Sequence, residues 1–247
     1  MDLGIAGRRA AVAAASKGLG YGVASALAAE GVHVAICGRR WETIEDAARR
    51  IGHGAVPIVA DVSSVEGAQG FVRDARAALG GIDILVPNAG GPPPGDFAHT
   101  TVEQYLDAFE LNCRGGIAMC YEAVPEMRER QWGRVVAITS IAVRQPIPTL
   151  ILSNTARAGF TGFLRTLSRE IARDGVTVNS LLPGLHATER VTALHSGEGD
   201  PAAGVPAGKI GDPADFGRIA AFLCSQHAWY LTGTAIQVDG GVYAALL

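Results

Sequence analysis

Ala10-Ala11-Val12-Ala13-Ala14-Ala15-Ser16-Lys17-Gly18-Leu19-Gly20 sets the architecture of this chain. An apolar run ends in a turn whose two glycines flank Leu19, and a helical pattern follows directly over residues 19–30. A strand that passes through such a turn into a helix brings backbone amides and the positive end of the helix dipole to one point. That point is a ready phosphate site. With 32 Gly in 247 residues, a bare Gly-x-Gly arises by chance about four times. Placement between strand and helix therefore carries the reading, and the string alone does not.

The same alternation continues to the other end of the chain. Apolar or β-branched runs fall at residues 9–14, 32–37, 55–60, 84–86, 135–139, 176–182 and 235–238. Helical patterns fall at 19–30, 41–51, 65–79, 102–130, 153–173 and 213–225. Short, nearly continuous apolar runs are expected of strands covered on both faces. Strand–helix alternation then implies a seven-stranded parallel sheet with helices on both faces. The expectation is a single-domain, doubly wound Rossmann fold over residues 1–247, binding ligands at the carboxyl ends of its strands. No repeat or linker divides the chain. Pro92-Pro93-Pro94-Gly95 reads as a stiff loop after the fourth strand, and residues 197–208, rich in Gly, Ala and Pro, as a mobile segment over the site.

Bulk properties narrow the function classes. A net charge of −3, from 21 basic and 24 acidic residues, argues against a nucleic-acid partner. No apolar run approaches the roughly 18–20 residues that cross a bilayer, and the first strand begins too early to leave room for a signal peptide. Cys37, Cys113, Cys120 and Cys224 show no paired spacing and read as free thiols in a reducing compartment. The six histidines form no metal-ligand pair, so no metal is expected. A cytoplasmic protein with a small-molecule substrate follows as the expectation.

Further motifs appear in a definite order: Asp61-Val62, Asn88-Ala89-Gly90, Asn112, Ser140, Ser153 with Arg157 four residues on, Pro183-Gly184 with Thr188, and Val238-Asp239-Gly240-Gly241. Together with the turn at residues 14–20, they resemble the short-chain dehydrogenase/reductase family over roughly residues 5–245. The resemblance implies a dinucleotide cofactor. It places Ser16, Lys17 and Leu19 on the phosphate loop, Asp61 and Val62 at the adenine, and Asn88, Ala89 and Gly90 on the adenosine side. Pro183, Gly184 and Thr188 would hold the nicotinamide carboxamide, and Arg157 the nicotinamide ribose. Where the family carries Gly, this chain has Ala14, so a slightly reshaped turn is expected.

The choice of dinucleotide turns on the end of the second strand. An NAD site places Asp or Glu there to accept from the ribose 2′-hydroxyl. Gly38-Arg39-Arg40 stands there instead. A guanidinium pairs with a 2′-phosphate that a carboxylate would repel, and Lys17 is a second cation for the same group. NADPH is the expected cofactor.

At the chemical centre the resemblance breaks. In the family the positions of Ser153 and Arg157 are normally Tyr and Lys, the proton donor and the cation that tunes it. A serine hydroxyl is a far weaker acid, and an arginine cannot pass a proton on. The Ser153-Asn154…Arg157 helix and the Gly90-Gly91-Pro92-Pro93 loop resemble a branch likened to β-ketoacyl carrier-protein reductases. In the family Ser140 orients substrate and Asn112 orders a water. Three readings stand: an NADPH-linked carbonyl reductase with another proton donor, a non-redox lyase, isomerase or cyclase on the same scaffold, and a cofactor-binding protein without turnover. For the first, the candidate donors are a water ordered by Asn112 and Ser140, or His186 just past Pro183-Gly184; the plainer reading of His186 is a partly exposed loop imidazole. The resemblance also implies a homodimer or homotetramer and a substrate lid at about residues 187–210.

Overall fold

Successive side chains of a strand point to opposite faces, and here both faces are covered. In the computed structural model, which describes residues 1–194 and 200–246, β1 (Arg9–Val12) turns Ala10 and Val12 into one hydrophobic layer and Ala11 into the other. The remaining strands are β2 (His33–Gly38), β3 (Val56–Val59), β4 (Ile84–Val86), β5 (Gly133–Ile138), β6 (Val176–Pro183) and β7 (Ala235–Val238). All pair in parallel, in the order β3-β2-β1-β4-β5-β6-β7. The direction of winding reverses between β1 and β4, the switch point where such sheets open a crevice at their carboxyl ends.

On one face lie α1 (Gly18–Ala29) and α8 (Pro213–Cys224), with α2 (Trp41–Ile51) beside them; on the other lie α3 (Val65–Leu79), α5 (Gly115–Glu129) and α6 (Ile151–Ile171). α1 and α8 cross backbone to backbone. A Cβ on Gly22 would sit 2.2 Å from Pro213 O, and one on Gly217 would sit 2.1 Å from Gly22 O. Glycine at both positions lets α8 hold the phosphate-loop helix against the sheet.

Expected and observed elements differ where local geometry intervenes. β1 stops at Val12, because Ala14 turns into the left-handed region at φ 47. The single helix expected over 102–130 is α4 (Val102–Phe109) and α5 joined by a π turn, Glu110–Arg114, which carries Asn112. The helix expected from residue 153 begins at Ile151, so Ser153 lies inside its first turn.

Within the expected lid, α7 (Glu189–Leu194) is a short helix. Residues 197–199 of the segment expected to be mobile lie outside the described residues. Its far end is anchored: Val205 is buried, and the Ala207 amide donates to Gly240 O at 3.0 Å.

Candidate active site

The loop between β1 and α1 is built around a strained residue. Ala14 adopts a conformation that costs an L-residue about 1–2 kcal/mol, and Asn88 clamps it, its side-chain amide donating to Ala13 O at 3.1 Å and Ala14 O at 3.2 Å. The amide of Ala14 donates in turn to Cys37 Sγ at 3.4 Å. A Cβ on Gly20 would come within 2.8 Å of both Ala14 O and Asn88 Nδ2, so the turn closes only over glycine. Gly18 takes φ 63 and lies beside Thr188, whose hydroxyl accepts from the Val191 amide at the start of α7. α1 has neither a side-chain cap nor an acidic residue in its first turn. Its leading amides and dipole are thus open to an anion.

Around this loop stand the other residues expected at a dinucleotide. Ser16 and Leu19 are half-buried, and Arg39 and Arg40 are exposed at the end of β2. Asp61 is exposed next to buried Val62; hydrogen bonds from Ser63, together with the charge of Arg39, hold its carboxyl below the usual range despite partial burial. Ala89, Gly90, Pro183 and Gly184 follow at the ends of β4 and β6. Lys17 forms an exposed ion pair with Glu189 of α7 across the cleft, an interaction worth little in water.

The central cluster is organised by Arg157. The residue is 9 % exposed and its guanidinium spreads over four acceptors. Nε donates to Ser153 Oγ at 3.2 Å, Nη1 to Ile138 O at 3.2 Å and Thr139 O at 3.0 Å, and Nη2 to Gly90 O at 3.4 Å. Burial, reinforced by the charge of Arg190, pushes Arg157 down to about 10. This side chain ties α6 to the ends of β4 and β5.

Asn112 reaches the same turn, donating to Gly90 O at 2.7 Å, while its Oδ1 is buried without a protein partner. Beside it lies a cavity of about 10 Å³ lined by Asn112, Arg157, Ile138 and Phe160. That is room for one water able to satisfy the orphaned oxygen. A π turn at this point is apt, because such turns widen a helix and often carry functional side chains.

Ser140 caps the turn after β5, its Oγ accepting from the Ala142 amide at 3.1 Å. Its hydroxyl proton is left to donate elsewhere.

His186 is a correction to the plainer reading made from sequence. The ring is buried rather than partly exposed, packed edge-on to Phe216 of α8 at 5.1 Å and against Gly211, with Nδ1 3.2 Å from Gly184 O. Burial lowers its pKa, against smaller raising effects from the Gly184 carbonyl and Asp212. The imidazole is turned into the α8 layer, and among the described residues no hydrogen bond joins it to Asn112, Ser140, Ser153 or Arg157.

One site residue escaped the reading of the sequence. Arg190, on α7, donates to Gly91 O at 3.1 Å and Pro92 O at 3.2 Å. A lone arginine in a loop-like segment carries no local signal, and its partners lie almost a hundred residues away. The adjacent Gly91 was the available clue.

A parallel switch-point crevice with an uncapped helix behind a glycine turn defines a nucleotide-binding α/β protein. Comparison with known proteins is consistent with this. Residues 13–243 match the family model described as Enoyl-(Acyl carrier protein) reductase. The chain is 32 % identical to human Dehydrogenase/reductase SDR family member 4, over 98 % of this chain and 90 % of that protein. It is likewise 32 % identical to the 3-oxoacyl-[acyl-carrier-protein] reductase FabG of Escherichia coli K12, over 96 % of this chain and 98 % of the relative. Among solved structures, L-sorbose reductase from Gluconobacter frateurii, complexed with NADPH and L-sorbose, superposes with a TM-score of 0.93 at 30 % identity, over 100 % of both chains. The chain belongs to the short-chain dehydrogenase/reductase family. Among the described residues no helix is long and apolar enough to cross a membrane, and no group of three or more His, Cys, Asp or Glu is placed to hold a metal ion.

Proposed function

We propose that this protein is an NADPH-linked oxidoreductase that reduces a carbonyl compound with a proton donor other than tyrosine. The observation that carries the reading is the open amide cradle at the head of α1, closed over Gly20 and set beside exposed Arg39 with no carboxylate at the end of β2. Ser16, Lys17 and Leu19 would hold the pyrophosphate side, Arg39 and Lys17 the 2′-phosphate, Asp61 and Val62 the adenine, and Pro183, Gly184 and Thr188 the carboxamide. The sorbose reductase structure, complexed with NADPH, supports NADPH as the dinucleotide. When bound, the dinucleotide supplies the hydride.

The residues Ser153 and Arg157 take the places of the family's Tyr and Lys and divide their work. Arg157 supplies a fixed positive charge that favours a developing alkoxide. Ser153 Oγ already accepts from Arg157, so its own proton points to a carbonyl as a hydrogen-bond donor. Delivery of the proton falls to a water held by Asn112 Oδ1. His186, buried and neutral against Phe216, is assigned a structural role, and Ser140 orients the carbonyl.

The test is NADPH oxidation with a panel of ketones and acyl thioesters by the native chain, Asn112→Ala and Ser153→Ala. Turnover that drops about a hundredfold in Asn112→Ala supports the reading, the usual scale for losing general-acid assistance. Binding of NADPH with no turnover on any substrate, restored by Ser153→Tyr/Arg157→Lys, would show a cofactor-binding protein instead.

A further inference from the structure

Two guanidiniums stand on consecutive carbonyls of one turn, and no carboxylate among the described residues pairs with either. Arg157 holds Gly90 O, while Arg190 holds Gly91 O and Pro92 O. Neither takes part in an ion pair among the described residues, and Glu189, the acidic neighbour of Arg190, is paired with Lys17. Carbonyl oxygens satisfy hydrogen bonds but bring no net charge, so among the described residues the two like charges have no counter-charge. Arg157 is buried and Arg190 is exposed beside it, so an anion arriving at Arg190 is attracted by both charges.

The seat of Arg190 is shaped for it. A Cβ on Gly91 would lie 2.2 Å from Arg190 Nη2 and 2.3 Å from its Cζ, so the guanidinium lies flat against a position without a side chain. The guanidinium is thereby held in one orientation; with Nη1 on Gly91 O and Nη2 on Pro92 O, the Nε–H and the second proton of each Nη are the donors left for a carboxylate.

We propose that Arg190 is the substrate-specificity residue of this site and that the substrate is an oxo acid, whose carboxylate pairs with Arg190 while its ketone faces Ser153. This rests on the reductase reading above. The carbonyl carbon takes a hydride from NADPH and the oxygen takes a proton, giving the hydroxy acid and NADP⁺.

The test uses the full chain, Arg190→Gln and Gly91→Ala, the last of which unseats the guanidinium without removing its charge. NADPH oxidation is followed with acetoacetate, 2-oxobutanoate and levulinate beside their methyl esters. Calorimetry measures uptake of NADPH, and then of malonate by the NADPH-loaded protein. The expected result is kcat/KM at least about tenfold higher for acids than for esters, the scale of one charge-assisted hydrogen bond. That ratio falls towards one in both variants through KM, and the heat of malonate binding is lost with it.

Equal rates for acids and esters in the native protein overturn the proposal. So does loss of NADPH uptake in Arg190→Gln, which would make the residue a cofactor clamp. Arg190-dependent malonate binding without any NADPH oxidation keeps the anion site and removes the reductase reading. Oxidation with esters alone does the reverse, and absence of both malonate binding and turnover removes both.

Discussion

Arg157 Nε lies 3.2 Å from Ser153 Oγ, one turn earlier on the same helix. A guanidinium only donates, so the serine oxygen accepts and its own proton is directed elsewhere. The pair is therefore polarised in one sense, with a permanent cation behind a hydroxyl. Because the same guanidinium also holds the ends of β4 and β5, the chemistry of the site and the stability of the fold share one side chain.

Arg157→Lys is expected to cost stability as well as activity. An ammonium is a compact donor that cannot span Ile138 O, Thr139 O, Gly90 O and Ser153 Oγ together. A buried acceptor left unpaired costs about 1–3 kcal/mol, so a loss of about 2 kcal/mol is expected in urea unfolding. A variant as stable as the native chain would contradict the role given to the arginine.

Gly217→Ala tests the crossing that positions the phosphate loop. A methyl there would fall 2.1 Å from Gly22 O, and backbone cannot step aside cheaply. Forced overpacking costs about 1–3 kcal/mol, so a lower Tm is expected together with weaker nucleotide binding, as α1 shifts. An unchanged Tm would show that the helices have slack.

Asp83 governs the acid limb. Its carboxylate is buried, 2.8 Å from Arg9 Nε and 3.3 Å from Arg130 Nη2. Desolvation pushes its pKa up, but the hydrogen bonds and charge of Arg9, helped by Arg130, bring the net value below the usual range. A carboxyl that ionises more readily in the fold adds stability that is fully present above the unfolded pKa of about 3.9 and is lost as pH falls through the folded value. Asp83→Asn is expected to be about 3 kcal/mol less stable at pH 7, with the gap to the native chain closing below about pH 4. A gap constant down to pH 2 would contradict this.

His186 has the opposite chemistry with the same direction of shift. Burial against Phe216 favours the neutral ring, so the unfolded chain takes up a proton first as pH drops. The stability it confers is present above about pH 6.5 and is lost as pH falls towards the folded pKa. An imidazole NMR titration is expected to show a midpoint below 6.5. A midpoint above that value would return His186 to the list of proton donors.

Much of this architecture is legible in the sequence, for reasons that can be named. Strands buried on both faces leave unbroken apolar runs, and Gly18-Leu19-Gly20 marks the strand-to-helix turn, so the sheet and its switch point follow. Ser153 and Arg157 fall four apart and so share a helix face. What stayed hidden depends on distant partners. The π turn at Asn112 keeps the same apolar pattern as an uninterrupted helix. The burial of His186 is decided by Phe216, and the seat of Arg190 by Gly91; neither contact leaves a periodic trace. Ala14 shows the intermediate case, since its departure from glycine was visible but the Asn88 clamp that holds its left-handed turn was not.

Dinucleotide choice falls to the amide cradle at the head of α1 and its basic rim at Arg39. Calorimetric titration of the native chain and Arg39→Asp with NADPH and NADH measures both together. The expected result is uptake of NADPH at least about tenfold tighter than NADH, one bidentate phosphate pair's worth of discrimination, with the preference lost in the variant. Equal affinity for the two dinucleotides, or no uptake of either, would contradict it.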